Sequence, residues 1–123
     1  MSKIYVAEDD RFLATAYRAK LSKAGFDVTI VGNGQEMLNV LAQAIPDLIL
    51  LDLVMPLKDG FATLEEIRAQ EQFKQIPVIV TSNLGQQEDL DKAKALGADD
   101  YLIKSDLSMD ALVERVKAAL GQT

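Results

Sequence analysis

The chain has 123 residues, 49% of them hydrophobic, which is enough to bury one core and leaves no room for a second domain. With 19 acids against 13 bases and a net charge of -6, it lacks the basic stripe that direct contact with nucleic-acid phosphates requires. The absence of cysteine and histidine excludes disulfides, thiolate and imidazole ligands, and Ser-His or Cys-His machinery, so any metal must be hard and held by oxygen. Taken in order, Ile4-Tyr5-Val6-Ala7 reads as a first strand, and Leu13, Tyr17, Leu21 and Ala24 recur at helical spacing until Gly25 stops the helix. Val28 to Val31 is a second strand, followed by Asn33-Gly34 and a helix with Leu38, Leu41 and Ile45 on one face, ended by Pro46. The run Leu48-Ile49-Leu50-Leu51, closed by Asp52 and bounded by Pro46 and Pro56, reads as a central parallel strand buried on both faces.

Behind that strand the spacing predicts a helix from Phe61 to about Gln70, and Pro77 introduces a fourth strand, Val78 to Thr81. A fourth helix follows from about Gln86 to Leu96, closed by Gly97. Tyr101-Leu102-Ile103 is a short fifth strand, and Ser108 caps a last helix carrying Leu112, Val116, Ala119 and Leu120, beyond which Gly121-Gln122-Thr123 is expected to fray. Five β-α units with short connections predict an α/β fold over residues 1–123, an open five-stranded parallel sheet with helices on both faces. The flavodoxin-like doubly wound order 2-1-3-4-5 sets the ends of strands one and three side by side. No apolar run approaches the length of a membrane span, and Met1-Ser2-Lys3 leads into the first strand without a signal-peptide pattern, so a cytoplasmic location is expected.

That order brings Glu8, Asp9 and Asp10 against Asp52. Carboxylates so close repel unless protons, water or a cation intervene, and two carboxylates with a backbone carbonyl and waters suit magnesium. The first three acids could equally cap the first helix. Thr81-Ser82-Asn83 leaves the fourth strand and Lys104 the fifth at the same edge. A hydroxyl and an ammonium beside a metal-bound carboxylate form a cradle for a phosphoryl dianion, although such groups taken singly are usually local backbone partners or solvated charges.

Together Ala7-Glu8-Asp9-Asp10, Leu51-Asp52-Leu53-Val54-Met55-Pro56 with Asp59-Gly60, Pro77 to Ser82, Leu96 to Tyr101, and Lys104 resemble the receiver domain of two-component response regulators, of the stand-alone type, over essentially the whole length. The resemblance implies that Asp52 accepts a phosphoryl group, that Asp9 and Asp52 bind magnesium directly with the Val54 carbonyl, and that Glu8 assists through water, with Asp10 a lesser contributor. It further implies Ser82 as switch hydroxyl, Lys104 as counter-charge, Tyr101 as a switch aromatic, and a sensor kinase or histidine phosphotransfer protein as donor. An unidentified protein target would be controlled through helix four, strand five and helix five. Neither nucleic acid nor membrane is an expected partner, and the chain is expected to be a monomer or a weak homodimer. It would be a regulatory phosphoacceptor rather than an enzyme, promoting only its own phosphotransfer.

The chain departs from the family pattern at three places. Ser105 stands where proline usually follows the lysine through a cis bond, and since a cis bond to a non-proline residue costs about 2.5 to 4 kcal/mol, the Lys104-Ser105 bond is expected to be trans. Asn83 replaces the usual small residue after the switch hydroxyl. Val54 and Leu84, at the positions that tune phosphoryl lifetime in the family, are apolar and cannot orient a hydrolytic water, which predicts slow self-dephosphorylation. A haloacid-dehalogenase-type phosphatase would need a second acid where Val54 stands, and a flavodoxin would need a phosphate loop where Glu8-Asp9-Asp10 would repel the ligand. A receiver-like scaffold that is never phosphorylated is the remaining alternative.

Overall fold

A computed structural model describes residues 2–121 of the chain. Strands and helices alternate as β1 (Lys3–Ala7), α1 (Arg11–Lys23), β2 (Asp27–Val31), α2 (Gly34–Gln43), β3 (Leu48–Asp52), α3 (Gly60–Ala69), β4 (Val78–Ser82), α4 (Gln87–Ala95), β5 (Asp100–Ile103) and α5 (Met109–Ala119). All strands run parallel in the order β2-β1-β3-β4-β5, the flavodoxin-like arrangement read from the sequence. Of the three residues expected to fray, Gln122 and Thr123 lie outside the described residues.

Each strand divides its side chains between two cores. Tyr5, Ala7, Ile49, Leu51, Val78 and Val80 face α2, α3 and α4, while Ile4, Val6, Leu48, Leu50, Ile79 and Leu102 face α1 and α5. Burial on both faces is why β3 and β4 run apolar from Leu48 to Leu51 and from Val78 to Val80 without polar alternation, polar residues entering only at their carboxyl ends. On the helices, Tyr17 and Leu21 of α1 and Leu112, Val113 and Val116 of α5 are buried at helical spacing.

Local chemistry sets the helix ends near the carboxyl edge of the sheet. Asp10 caps α1 by accepting a hydrogen bond from the Leu13 N–H (3.1 Å), Asp59 caps α3 through Ala62 N–H (2.8 Å), and Ser108 caps α5 through Ala111 N–H (3.1 Å). Gly97 turns the chain out of α4 at a φ of 105°, a conformation suited to glycine. At Gly60 the start of α3 lies so close to β3 that a Cβ would collide with the Asp52 carbonyl and the Leu53 backbone. That contact, with the Gly60 N–H bonded to the Leu53 carbonyl at 2.9 Å, fixes where β3 releases Asp52. Two 3₁₀ turns, Glu71–Phe73 and Lys104–Asp106, were not foreseen from spacing. The Lys104-Ser105 bond is trans, since the described residues contain no cis peptide, and the second 3₁₀ turn begins there.

Candidate functional site

Strand parity brings four chemically capable residues to one spot. Glu8 directly follows β1, Asp52 ends β3, Thr81 lies in the last turn of the β4 ladder, and Lys104 directly follows β5; all four share the parity of the α1/α5 face. Ser82, one residue on, takes the opposite parity. The structure therefore separates the two β4 hydroxyls, and it is Ser82 that lines a cleft of about 250 Å³ with Asp52, Val54, Asn83, Leu84 and Lys104.

Glu8 and Asp52 are buried, at 3% and 4% exposure. An unpaired charge could not persist there, and both are compensated by one ammonium: Lys104 Nζ lies 2.6 Å from Glu8 Oε1 and 3.1 Å from Asp52 Oδ2. The second Glu8 oxygen accepts from the Asp10 N–H at 3.1 Å, and Asp52 Oδ1 faces the Val54 N–H at 3.4 Å. Burial pushes the Glu8 carboxyl above its ordinary value, opposed by the Lys104 and Asp10 hydrogen bonds and reinforced by the nearby Asp52 charge. For Lys104, burial works against the charged form, but the hydrogen bond to Glu8 and the Asp52 charge outweigh it and raise the ammonium above its ordinary value. Substituting Ser105 for proline has not misdirected the lysine.

Asp9 is exposed and has no partner among the described residues. Glu8, Asp9 and Asp52 each place a carboxylate oxygen within 4.8 Å of the others. Three carboxylates with one ammonium between them leave an excess of negative charge around an all-oxygen donor set, which fits a hard divalent cation and no soft one. Asp10 is not part of this group. Its side chain caps α1, accepting from the Leu13 N–H.

The switch candidates sit on the other side of the cleft. Ser82 is 1% exposed and its Oγ accepts from the Leu84 N–H at 3.1 Å. The Tyr101 hydroxyl donates to the Leu84 carbonyl at 2.6 Å and also shares a hydrogen bond with Ser82, with its half-buried ring raising the phenol above its ordinary value. Ser82, Leu84 and Tyr101 thus already form one hydrogen-bonded unit across the β4–α4 turn. One participant was missed from sequence: Tyr17, which helical spacing assigned to the core, is 2% exposed with its hydroxyl near Thr81 and within electrostatic reach of Glu8, Asp52 and Lys104.

The family model described as the response regulator receiver domain matches residues 4–117. The transcriptional regulatory protein CpxR of Escherichia coli (strain K12) is 39% identical over 123 residues, covering 100% of this chain and 51% of its own length. The DNA-binding dual master transcriptional regulator RpaA of Synechocystis is 35% identical, with the same coverage. The signal receiver domain of a signal transduction histidine kinase from Syntrophus aciditrophicus superposes with a TM-score of 0.91 at 30% identity, covering 98% of this chain and 91% of that one. The chain spans about half the length of the curated relatives it matches.

Proposed function

This chain belongs to the response regulator receiver domain family, and on that premise we propose that it is a switch in which Asp52 accepts a phosphoryl group from a phosphohistidine of a sensor kinase or phosphotransfer protein. The observation that carries the reading is the setting of Asp52. Its carboxylate is buried at the exit of the central strand, opens on a cleft, and has an ammonium 3.1 Å away on one oxygen. Attack by that carboxylate forms an O–P bond as the P–N bond of the donor breaks, and the imidazole leaves with the electron pair.

Two anions must approach for this to happen. Lys104 lowers the repulsion by holding positive charge beside the attacking oxygen, and Glu8 keeps the ammonium aimed there. Magnesium held by Asp9, Asp52 and the Val54 carbonyl, with Glu8 through water, would supply the remaining positive charge at the phosphoryl oxygens. After transfer, Ser82 can turn its O–H toward the new phosphoryl oxygens, giving up its link to Tyr101. The change then passes through the β4–α4 turn to α4, β5 and α5, the surface offered to a protein target. Val54 and Leu84 flank the cleft with apolar side chains, which supports slow loss of the phosphoryl group.

Residues 1–123 act in this reading as one receiver domain, a monomer or weak homodimer. DNA binding belongs to the names of longer relatives, and with a net charge of -6 these residues are assigned protein partners rather than nucleic acid. No helix among the described residues is long and apolar enough to cross a membrane, and a cytoplasmic location is part of the proposed reading. Incubation with magnesium and acetyl phosphate tests the proposal. Mass spectrometry should find one added phosphoryl group on the wild type and none on Asp52→Asn; an unmodified wild type, or a modified variant, would leave only a non-phosphorylated scaffold.

A further inference from the structure

Thr81 is the lateral neighbour of Asp52, since the two are Cα partners across β4 and β3. Lys104 leaves β5 on the same face. With the strands ordered β1-β3-β4-β5, its side chain has to cross β4 to place the ammonium 3.1 Å from Asp52 and 2.6 Å from Glu8. The β4 residue on that face at the crossing is Thr81. From α1, Tyr17 packs into the same core at 2% exposure, with its hydroxyl near the Thr81 side chain and within electrostatic reach of Lys104, Glu8 and Asp52.

Both positions are core positions by spacing, and an aliphatic residue at either would satisfy packing. Instead hydroxyl-bearing residues are buried at both, Tyr17 at 2% and Thr81 at 1% exposure, and no buried side-chain polar atom among the described residues lacks a hydrogen-bond partner. We propose that the Tyr17–Thr81 hydroxyl pair is a positioning device for Lys104, a polar floor that fixes where the lysine crosses β4 and so holds its ammonium between the two acids. Its effect on phosphotransfer rests on Asp52 being the acceptor; its effect on Lys104 does not. The lysine has four rotatable bonds, and a floor that fixes its path replaces many conformers with one.

Three near-isosteric variants test this. Tyr17→Phe and Thr81→Val each delete one hydroxyl, while Thr81→Ser keeps it. In metal-free protein, the ¹⁵N signal of the Lys104 ammonium is expected to be resolved in the wild type and Thr81→Ser and lost to exchange in the other two. Phosphoryl uptake from acetyl phosphate at saturating magnesium is expected to fall about tenfold in Tyr17→Phe and in Thr81→Val, no further in the double variant, and to recover in Thr81→Ser. Uptake within twofold of wild type in both deletions overturns the proposal, as does a loss that serine fails to restore. Should the wild type take up no phosphoryl group at all, the acceptor reading falls, and an unchanged Lys104 signal in the deletions would then overturn the positioning role independently.

Discussion

The two ends of the sheet use the same residue types to opposite effect. At the amino ends of the strands three acids have donors of their own: Asp47 accepts from the Lys3 N–H (2.7 Å), Asp99 from the Val78 N–H (2.8 Å) and Arg68 (3.0 Å), and Arg115 grips Asp100 with two nitrogens. At the carboxyl ends Glu8 and Asp52 share one ammonium and Asp9 has none. An acid with its own donors ties elements together, whereas a group of acids short of positive charge stores repulsion that a bound cation can relieve.

The sharpest way to break that contrast is at the amino pole. Arg68 donates to the carbonyls of Gly97, Phe73 and Lys74 as well as to Asp99, joining α3 to the start of β5. Arg68→Ala should lower stability by on the order of 3 kcal/mol in urea unfolding while leaving phosphoryl uptake by the folded protein unchanged; a parallel loss of uptake would mean the poles are not separate. Next in size is a gain of hydrolysis at the other pole. Val54→Asn combined with Leu84→Glu should speed loss of phosphate about tenfold, equivalent to about 1.4 kcal/mol of barrier, and an unaltered lifetime would remove the water-exclusion account.

A smaller effect has the opposite sign. Because Asp9 is the uncompensated member of its group, Asp9→Asn should raise metal-free stability by about 0.5 kcal/mol and reduce the rise in melting temperature that magnesium produces. An undiminished magnesium effect would exclude Asp9 as a ligand. The smallest effect is a slope. Burial raises the Glu8 carboxyl in the folded state, so the folded protein holds that proton more tightly than the unfolded chain, and this residue's contribution to stability declines as pH rises from the unfolded value through the raised folded one. Metal-free Glu8→Gln should therefore gain on the wild type as pH increases across that window, and parallel denaturation curves at each pH would contradict the assignment.

Much of this was legible in the chain because two physical signals were clean. The unbroken run Leu48 to Leu51 could only be a strand covered on both faces, and the apolar recurrences in α1 and α5 could only be helices lying on it, so β-α alternation gave the strand order. Glu8, Asp9, Asp52, Ser82 and Lys104 were legible as polar residues at strand exits, where a charge in an apolar context stands out. Thr81 reads as a core-facing strand residue and Tyr17 as a core position of the first helix, because spacing reports that a position is buried and says nothing of what its hydroxyl does inside the core. Asp10 was ambiguous for a related reason: one acid at a strand-to-helix junction can serve a cation or a helix end, and the 3.1 Å bond from Leu13 shows it serving the helix end. The 3₁₀ turn at Glu71–Phe73 was invisible because it follows from the carbonyls that Arg68 gathers, a contact made across 29 and 31 residues on its other side.

The bond between Glu8 and Lys104 joins positions 96 apart in the chain. A ribosome that has made the first hundred residues has already delivered every acid of the group, yet the cation that makes the acceptor approachable has not emerged. Until β5 is complete, Glu8 and Asp52 stand without the ammonium that compensates them, so a copy cut before Lys104 keeps the acids and loses their shared counter-charge.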